Sequence, residues 1–302
     1  MTTADRPLFS IIVPSYNQGR YLRQTLESIL TQSHRPLEVI VVDGASKDET
    51  VEVLKSFATA PELRWISEKD RGPADAVNKG FAMARGELVG IQSADDVYYP
   101  GALATTAGHF AANPDCGLVY GDAEAIDTEG KVFYSGQLPR FSWESIFAMR
   151  LCIPQSSAFF RRSVQQKIGG WRGEFHQCDL DFWLRMIFAT GAHKIDQQFS
   201  GWRVHPDQRT QAGKGLWLDY CKIIEASDDV RHAPPEIQRM AYASRHIFAL
   251  DYPPPDRGAW WRRGKALQAI AEFPRSRRYI RHHLRKLFPG YESLQAAFPS
   301  KL

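Results

Sequence analysis

At 302 residues the chain is long enough to bury a large core and to carry one large α/β domain with an appendage. Its four cysteines, Cys116, Cys152, Cys178 and Cys221, show no CxxC spacing and no histidine close enough to suggest a zinc cluster, and there is neither an apolar signal core at the start nor a run of about 18 apolar residues to span a bilayer, so the pattern reads as reduced thiols in a cytosolic protein with any membrane contact peripheral. The net charge of +4 is uneven: residues 256–302 hold 11 Lys/Arg against 3 Asp/Glu, which leaves 27 basic against 31 acidic residues in 1–255.

In chain order, Phe9 to Val13 is a β-branched run stopped by Pro14 and predicts a buried strand. A polar loop, Ser15 to Gly19, leads into Tyr21 to Gln32, where Leu22, Leu26, Ile29 and Leu30 have helical spacing. Glu38 to Val42 predicts a second strand ending at Asp43, and Ser46-Lys47-Asp48-Glu49 fits a capping box that opens the next helix. A third strand at Leu63 to Ser67 precedes Glu68 to Pro73 and a helix over Ala74 to Ala84. The fourth strand is Val89 to Val97, an apolar run ending in the adjacent carboxylates Asp95 and Asp96.

Four alternating units with short loops imply parallel strands joined by right-handed crossovers, with ligands at the carboxyl ends of the strands. No Gly-x-Gly-x-x-Gly follows the first strand and no Gly-x-x-x-x-Gly-Lys-Ser/Thr occurs, so neither the dinucleotide fingerprint nor the P-loop handles phosphate here. Two like charges side by side repel, which a cation or full solvation relieves. A divalent metal bound to a diphosphate at Asp95 and Asp96 is the expectation.

Four segments taken together, Ile12 to Asn17, Val41 to Thr50, Asp70 to Gly80 and Ser93 to Asp96, resemble the family 2 glycosyltransferases, inverting enzymes of the GT-A fold, over roughly residues 8 to 210. The resemblance implies an α/β protein with a Rossmann-like, mostly parallel central sheet flanked by helices, a catalytic domain at residues 1–212 and a basic helical extension at 213–302. It further implies that Pro14, Ser15, Tyr16 and Asn17 border the base and ribose of a nucleotide-diphosphate sugar, with a UDP-sugar favoured, and that Asp43 accepts from the base. Arg71, Asp75 and Asn78 are the implied polar contacts of a segment closing over the donor. Asp95 and Asp96 match the metal-binding acidic motif for Mg²⁺ or Mn²⁺, with Ser93 where that motif often has its first Asp or an Asn; one of the two carboxylates touches the metal directly and one contacts ribose, which leaves both assignments open, and Ser93 and Asp95 are counted on the donor side.

Inverting transfer needs a carboxylate to take the acceptor proton on the face opposite the leaving diphosphate. Cys178 to Arg185 resembles the segment that supplies it, which makes Asp179 the expected base, in a first helical turn where the dipole favours its ionised form. Cys178 stands where the family has Glu. Asp181 is placed on the acceptor side, and its spacing from Arg185 suits an ion pair. Ile153 to Arg162 resembles the acceptor-lining strand, with Gln155 facing the cleft. Trp202 to His205 resembles a late Arg-x-His segment whose imidazole joins the metal or the diphosphate. The acceptor is expected to be carbohydrate or lipid-linked, in cell-surface polysaccharide or glycoconjugate synthesis.

Each residue has a plainer alternative. Asp95 with Asp96, Asp43 and Asp179 would each serve as caps or turn residues, and His205 would be a packed histidine. After the stiff Pro253-Pro254-Pro255, the segments around Trp260-Trp261-Arg262-Arg263 and from Arg275 to Phe288 read as basic amphipathic helices, which either dock on anionic lipid at the inner face of the membrane or pack on the catalytic domain. No motif for specific nucleic-acid reading is present. A sugar nucleotidyltransferase and a non-catalytic scaffold of the same fold are the rival functions.

Overall fold

The computed structural model describes residues 6–208, 215–254 and 256–287, which form two compact units. The first comprises residues 6–138, 153–174 and 178–208. Its strands are β1 (Phe9–Ser15), β2 (Leu37–Asp43), β3 (Leu63–Ser67), β4 (Leu88–Ile91), β5 (Val97–Tyr98), β6 (Leu118–Ile126), β7 (Val132–Tyr134), β8 (Ala158–Arg161) and β9 (His193–Arg203). Its helices are α1 (Gly19–Leu30), α2 (Thr50–Ser56), α3 (Pro73–Met83), α4 (Ala102–Ala112), α6 (Arg162–Ile168) and α7 (Cys178–Thr190), while α5 (Trp143–Phe147) belongs to the second unit.

The strands form one sheet in the order β3-β2-β1-β4-β8-β6-β9-β5, with β7 paired to β6. The four expected units supply the parallel part, β3-β2-β1-β4. Beyond β4 the sheet is mixed: β8 is antiparallel to both β4 and β6, whereas β6 and β9 run parallel. Buried on both faces, β2 is apolar from Val39 to Val42, as the sequence reads. α1 lays Leu22, Leu26 and Ile29, all fully buried, into the core beside Phe9, Val39 and Phe159. Each such side chain stabilises the fold by roughly 1.5–3 kcal/mol.

Two local expectations are corrected. The run from Val89 to Val97 is not one strand: β4 stops at Ile91, and a turn closed by the Asp96 amide donating to the Ser93 carbonyl (3.2 Å) separates it from β5. The capping box at Ser46 does not form either. α2 begins at Thr50, and Asp48 organises its entry by accepting from the Thr50 amide (3.1 Å) and hydroxyl and from the Gly19 amide (2.9 Å). Burial alone would raise the Asp48 carboxyl, but these bonds outweigh it and hold it below the usual carboxylate range.

α3 starts on Gly72, whose φ of 109° suits glycine, with Pro73 pre-set for a first helical turn. At its far end Gly80 lies flat on β1, where an added Cβ would fall 2.3 Å from Ile12 Cγ2.

The second unit comprises residues 139–152 and 175–177 with the described residues from 215 onward. It is helical: α5 is followed by α8 (Leu216–Ala226), α9 (Asp228–His232), α10 (Pro235–Asp251), α11 (Ala259–Glu272) and α12 (Arg281–Leu287). Its core joins Ile247, Leu250, Ala266, Ala269, Ile280, Leu284 and Leu287. The apolar side of the expected basic helix is thus spent inside this unit, while Trp260 is 81% exposed; Phe288 lies outside the described residues. Among the described residues no helix is long and apolar enough to cross a membrane.

Because Ile12 is β-branched and fully buried, it has little room to retreat from a new methyl group. Gly80→Ala is expected to destabilise the protein by about 1–3 kcal/mol in urea unfolding. A loss under ~0.5 kcal/mol would show that α3 is not held this closely.

Candidate active site

The carboxyl ends of β1, β2, β3 and β4 bring the polar loops to one edge of the sheet. Asp43 lies opposite Ser15 on one side and Ser67 on the other. Fully buried, its carboxylate accepts from the Ser46 hydroxyl and from the Ser46 amide (3.0 Å) and Ser67 hydroxyl (2.6 Å). A carboxylate has about four acceptor sites, so roughly one remains for a ligand. Asn17, at a φ of 52°, ties the β1 loop to the β2 loop: its amide donates to Ser46 Oγ (2.7 Å) and its side chain accepts from the Lys47 amide (2.9 Å). Gly44 lets three loops converge, since a Cβ there would lie 2.7 Å from Asp70 Oδ2 and 3.2 Å from Tyr16 Cδ2. Tyr16 is 58% exposed at this junction, Pro14 is partly buried, and among the described residues the buried Ser15 hydroxyl has no partner.

The acidic turn after β4 is held by groups distant in sequence. Thr25 Oγ bonds to the carbonyls of Ala94 (2.9 Å) and Asp96 (2.8 Å). Arg203, fully buried at the end of β9, donates from Nε to the Asp95 carbonyl (2.8 Å), from Nη1 to the Asp127 (2.8 Å) and Thr128 (3.1 Å) carbonyls, and from Nη2 to Gln24 Oε1 (2.6 Å). Its guanidinium lies 4.8 Å from the Tyr21 ring centroid. Tyr21, Gln24, Thr25 and Ser28 form one polar stripe along α1 at helical spacing, and Ser28 Oγ accepts from the Tyr98 amide (3.0 Å) on the far side of the turn.

This scaffold separates the two acids. Asp95 Oδ2 is 2.9 Å from His205 Nε2, and the His205 ring packs against Tyr21 at 5.0 Å. Asp96 turns inward, where its Oδ1 accepts from the Arg203 amide (2.8 Å). Burial, and then the neighbouring Asp95, push the Asp96 carboxyl well above the usual carboxylate range.

A divalent ion fits the pair formed by Asp95 and His205. Two ligands on adjacent octahedral positions, each 2.0–2.1 Å from the ion, are separated by about 3 Å, which is the spacing already present between Asp95 Oδ2 and His205 Nε2. His205 is 4% exposed, and among the described residues its buried Nδ1 has no hydrogen-bond partner. Mg²⁺-type sites use only one or two carboxylates and leave the rest of the sphere to water and phosphate.

Of the other sequence candidates, Ser93 and Gln155 meet, with Gln155 Nε2 donating to Ser93 Oγ (3.1 Å). Asn78 is occupied by Trp171, exchanging both bonds with its backbone at 2.8 Å. The Arg71 side chain is 90% exposed and pairs with Asp75 (3.1 Å), whose carboxyl is lowered by the Arg71 bonds. Asp181 is buried and forms the expected pair with Arg185 (2.7 Å), which also donates to the Ile168 (2.6 Å) and Gly170 (2.7 Å) carbonyls. Asp179 lies partly buried in the first turn of α7, a helix anchored by Phe182 against Phe81 and Phe160. Tyr21, Gln24 and Thr25 are the supporting residues that sequence reasoning missed, while Arg203, read there only as part of the Arg-x-His segment, is the group that holds the turn. The regular polar stripe on α1 was the available signal.

A family model described as glycosyl transferase family 2 matches residues 10–169, more than half of the chain, and the chain belongs to that family. It is 32% identical over 148 residues to chondroitin synthase of Escherichia coli, covering 48% of this chain and 22% of that protein. The chain spans between about a fifth and a half of the length of the first curated relatives it matches. A structure of S. aureus TarS 1–349 in complex with UDP-GlcNAc superimposes with a TM-score of 0.66 at 15% identity, covering 92% of this chain and 83% of that one. The mannosyltransferase PcManGT of Pyrobaculum calidifontis, in complex with GDP-Man and Mn²⁺, gives 0.63 at 20% identity over 97% and 84%. The fold is of the GT-A type.

Replacing Arg203 by Met keeps side-chain bulk but strands three carbonyls and Gln24. Since one unsatisfied buried acceptor costs roughly 1–3 kcal/mol, Arg203→Met is expected to lose at least ~3 kcal/mol in urea unfolding. A loss under ~1 kcal/mol would mean that the guanidinium does not hold the turn.

Proposed function

We propose that the protein is an inverting, metal-dependent glycosyltransferase that moves a sugar from a nucleotide-diphosphate donor to an acceptor hydroxyl, using Asp179 as general base. The carrying observation is the Asp95 and His205 pair, held 2.9 Å apart at the end of β4 within a family 2 framework. The exposed Tyr16 ring offers a flat apolar face to the base, and Asp43 keeps one acceptor site for a base N–H. The ribose lies toward Ser93 and Gln155. Arg71 with Asp75 stands on the segment that covers the donor.

Asp95 and His205 would hold Mg²⁺ or Mn²⁺, which would supply positive charge for the leaving diphosphate. Asp96 stays behind the turn and fixes β9 through the Arg203 amide. Asp179 takes the acceptor proton, its ionised form favoured by the start of the 13-residue α7. A UDP-sugar is the favoured donor, supported by the UDP-GlcNAc complex of the structural neighbour TarS, and a polysaccharide or glycoconjugate acceptor by the chondroitin synthase relative.

The test is nucleotide release from a panel of UDP- and GDP-sugars with Mn²⁺. Asp179→Asn is expected to slow release by about 10²–10⁴-fold, the usual contribution of general acid–base catalysis, with donor affinity nearly unchanged by calorimetry. Unchanged turnover would reject Asp179. Pyrophosphate as product would point to a nucleotidyltransferase, and no release from any donor to a binding scaffold.

A further inference from the structure

At the end of β9 opposite His205, three metal-binding side chains from separate elements converge. His109 stands in the last turn of α4, Cys116 in the turn that leads into β6, and His193 opens β9. Their ligand atoms all lie within 4.8 Å of one another. His109 Nε2 and His193 Nδ1 are 3.1 Å apart, with the rings edge to face at 82°. Two nitrogens bound to a tetrahedral Zn²⁺ at 2.0–2.1 Å are separated by about 3.3 Å, so this pair already has the spacing of a coordination edge.

The cysteine is buried in a turn that is held in place. Cys116 is 3% exposed, and its thiol donates to the Leu118 carbonyl (3.3 Å). Arg161 clamps the same turn, donating from Nε to the Cys116 carbonyl (2.8 Å) and from Nη2 to the Phe110 carbonyl (2.9 Å).

We propose that His109, Cys116 and His193 form a binding site for a borderline-soft divalent cation, Zn²⁺ foremost, with one coordination position open to water beside the exposed His193. Binding releases the Cys116 thiol proton to solvent and replaces the contact between the imidazoles with two metal–nitrogen bonds. The bound ion ties α4 to the first residues of β6 and β9, which pair in parallel from Val119 and His193. β9 follows β6 from Val119, opposite His193, to Ile126, opposite Arg203, seven residue steps of β6 or about 23 Å, so this site is separate from the one at Asp95. The two differ in kind as well: the Cys116 sulfur with two imidazoles favours Zn²⁺, whereas the Asp95 site has no sulfur ligand and pairs a carboxylate with a single imidazole.

The experiment is a Co²⁺ titration of the full chain, monitored by the near-ultraviolet thiolate-to-cobalt band and followed by displacement with Zn²⁺. One equivalent per chain is expected to develop the band, and Zn²⁺ to abolish it. Because His193 is exposed, His193→Ala is expected to melt like the wild type without metal yet to weaken Co²⁺ binding by more than ~100-fold, beyond the 10–100-fold loss typical of an outer-shell partner. Cys116→Ser should remove the band and Cys152→Ser keep it. Absence of a band in the wild type, a band unchanged in His193→Ala, or one abolished by Cys152→Ser would each overturn the site. If Cys116→Ser fails to fold, the His193→Ala arm still decides.

Discussion

Arg203 is the constraint on which the candidate site depends. A guanidinium with all its surface withdrawn from water is costly unless its donors are met, and here they reach Asp95, Asp127, Thr128 and Gln24. Those partners lie on the acidic turn, on the segment between β6 and β7, and on α1. One side chain therefore fixes the relative position of three elements, and its own amide fixes Asp96. The site is shaped less by its two acids than by the cation behind them.

That arrangement gives the adjacent carboxylates different environments. Asp96 is buried, and that burial and the neighbouring Asp95 push its carboxyl up. Asp95 is left with His205, at a spacing that suits a shared ion. The polar stripe of α1 completes the device, because the helix that buries Leu22 and Leu26 on one face holds the acidic turn with Tyr21, Gln24 and Thr25 on another. Packing and site geometry are thus set by the same helix.

The parallel half of the sheet was legible because each strand is a short β-branched run followed by helical spacing, and local pattern is enough to read such units. The mixed half was not: β6 and β9 pair in parallel although α5, β8, α6 and α7 intervene in sequence, and no local period carries that information. Asp95 and His205 were legible through their motifs, but the separation of Asp96 from them was not, because it depends on the backbone of Arg203. The expected capping box failed because Ser46 serves Asp43 and Asp48 serves α2. In the tail, amphipathic helices were readable while the destination of their apolar side, the core around Ile280 and Leu284, was not. The cluster of His109, Cys116 and His193 was invisible for the same reason: the sequence spacing hides a meeting that only the sheet creates.

The role proposed for Asp95 and His205 is to bind a nucleotide diphosphate through a divalent ion. Calorimetric titration of uridine diphosphate and guanosine diphosphate, with Mn²⁺ and with chelator, tests it most directly. At least one nucleotide is expected to bind in a Mn²⁺-dependent manner to the wild type and to lose that dependence in Asp95→Ala. Affinity that ignores both the chelator and the substitution would contradict the account.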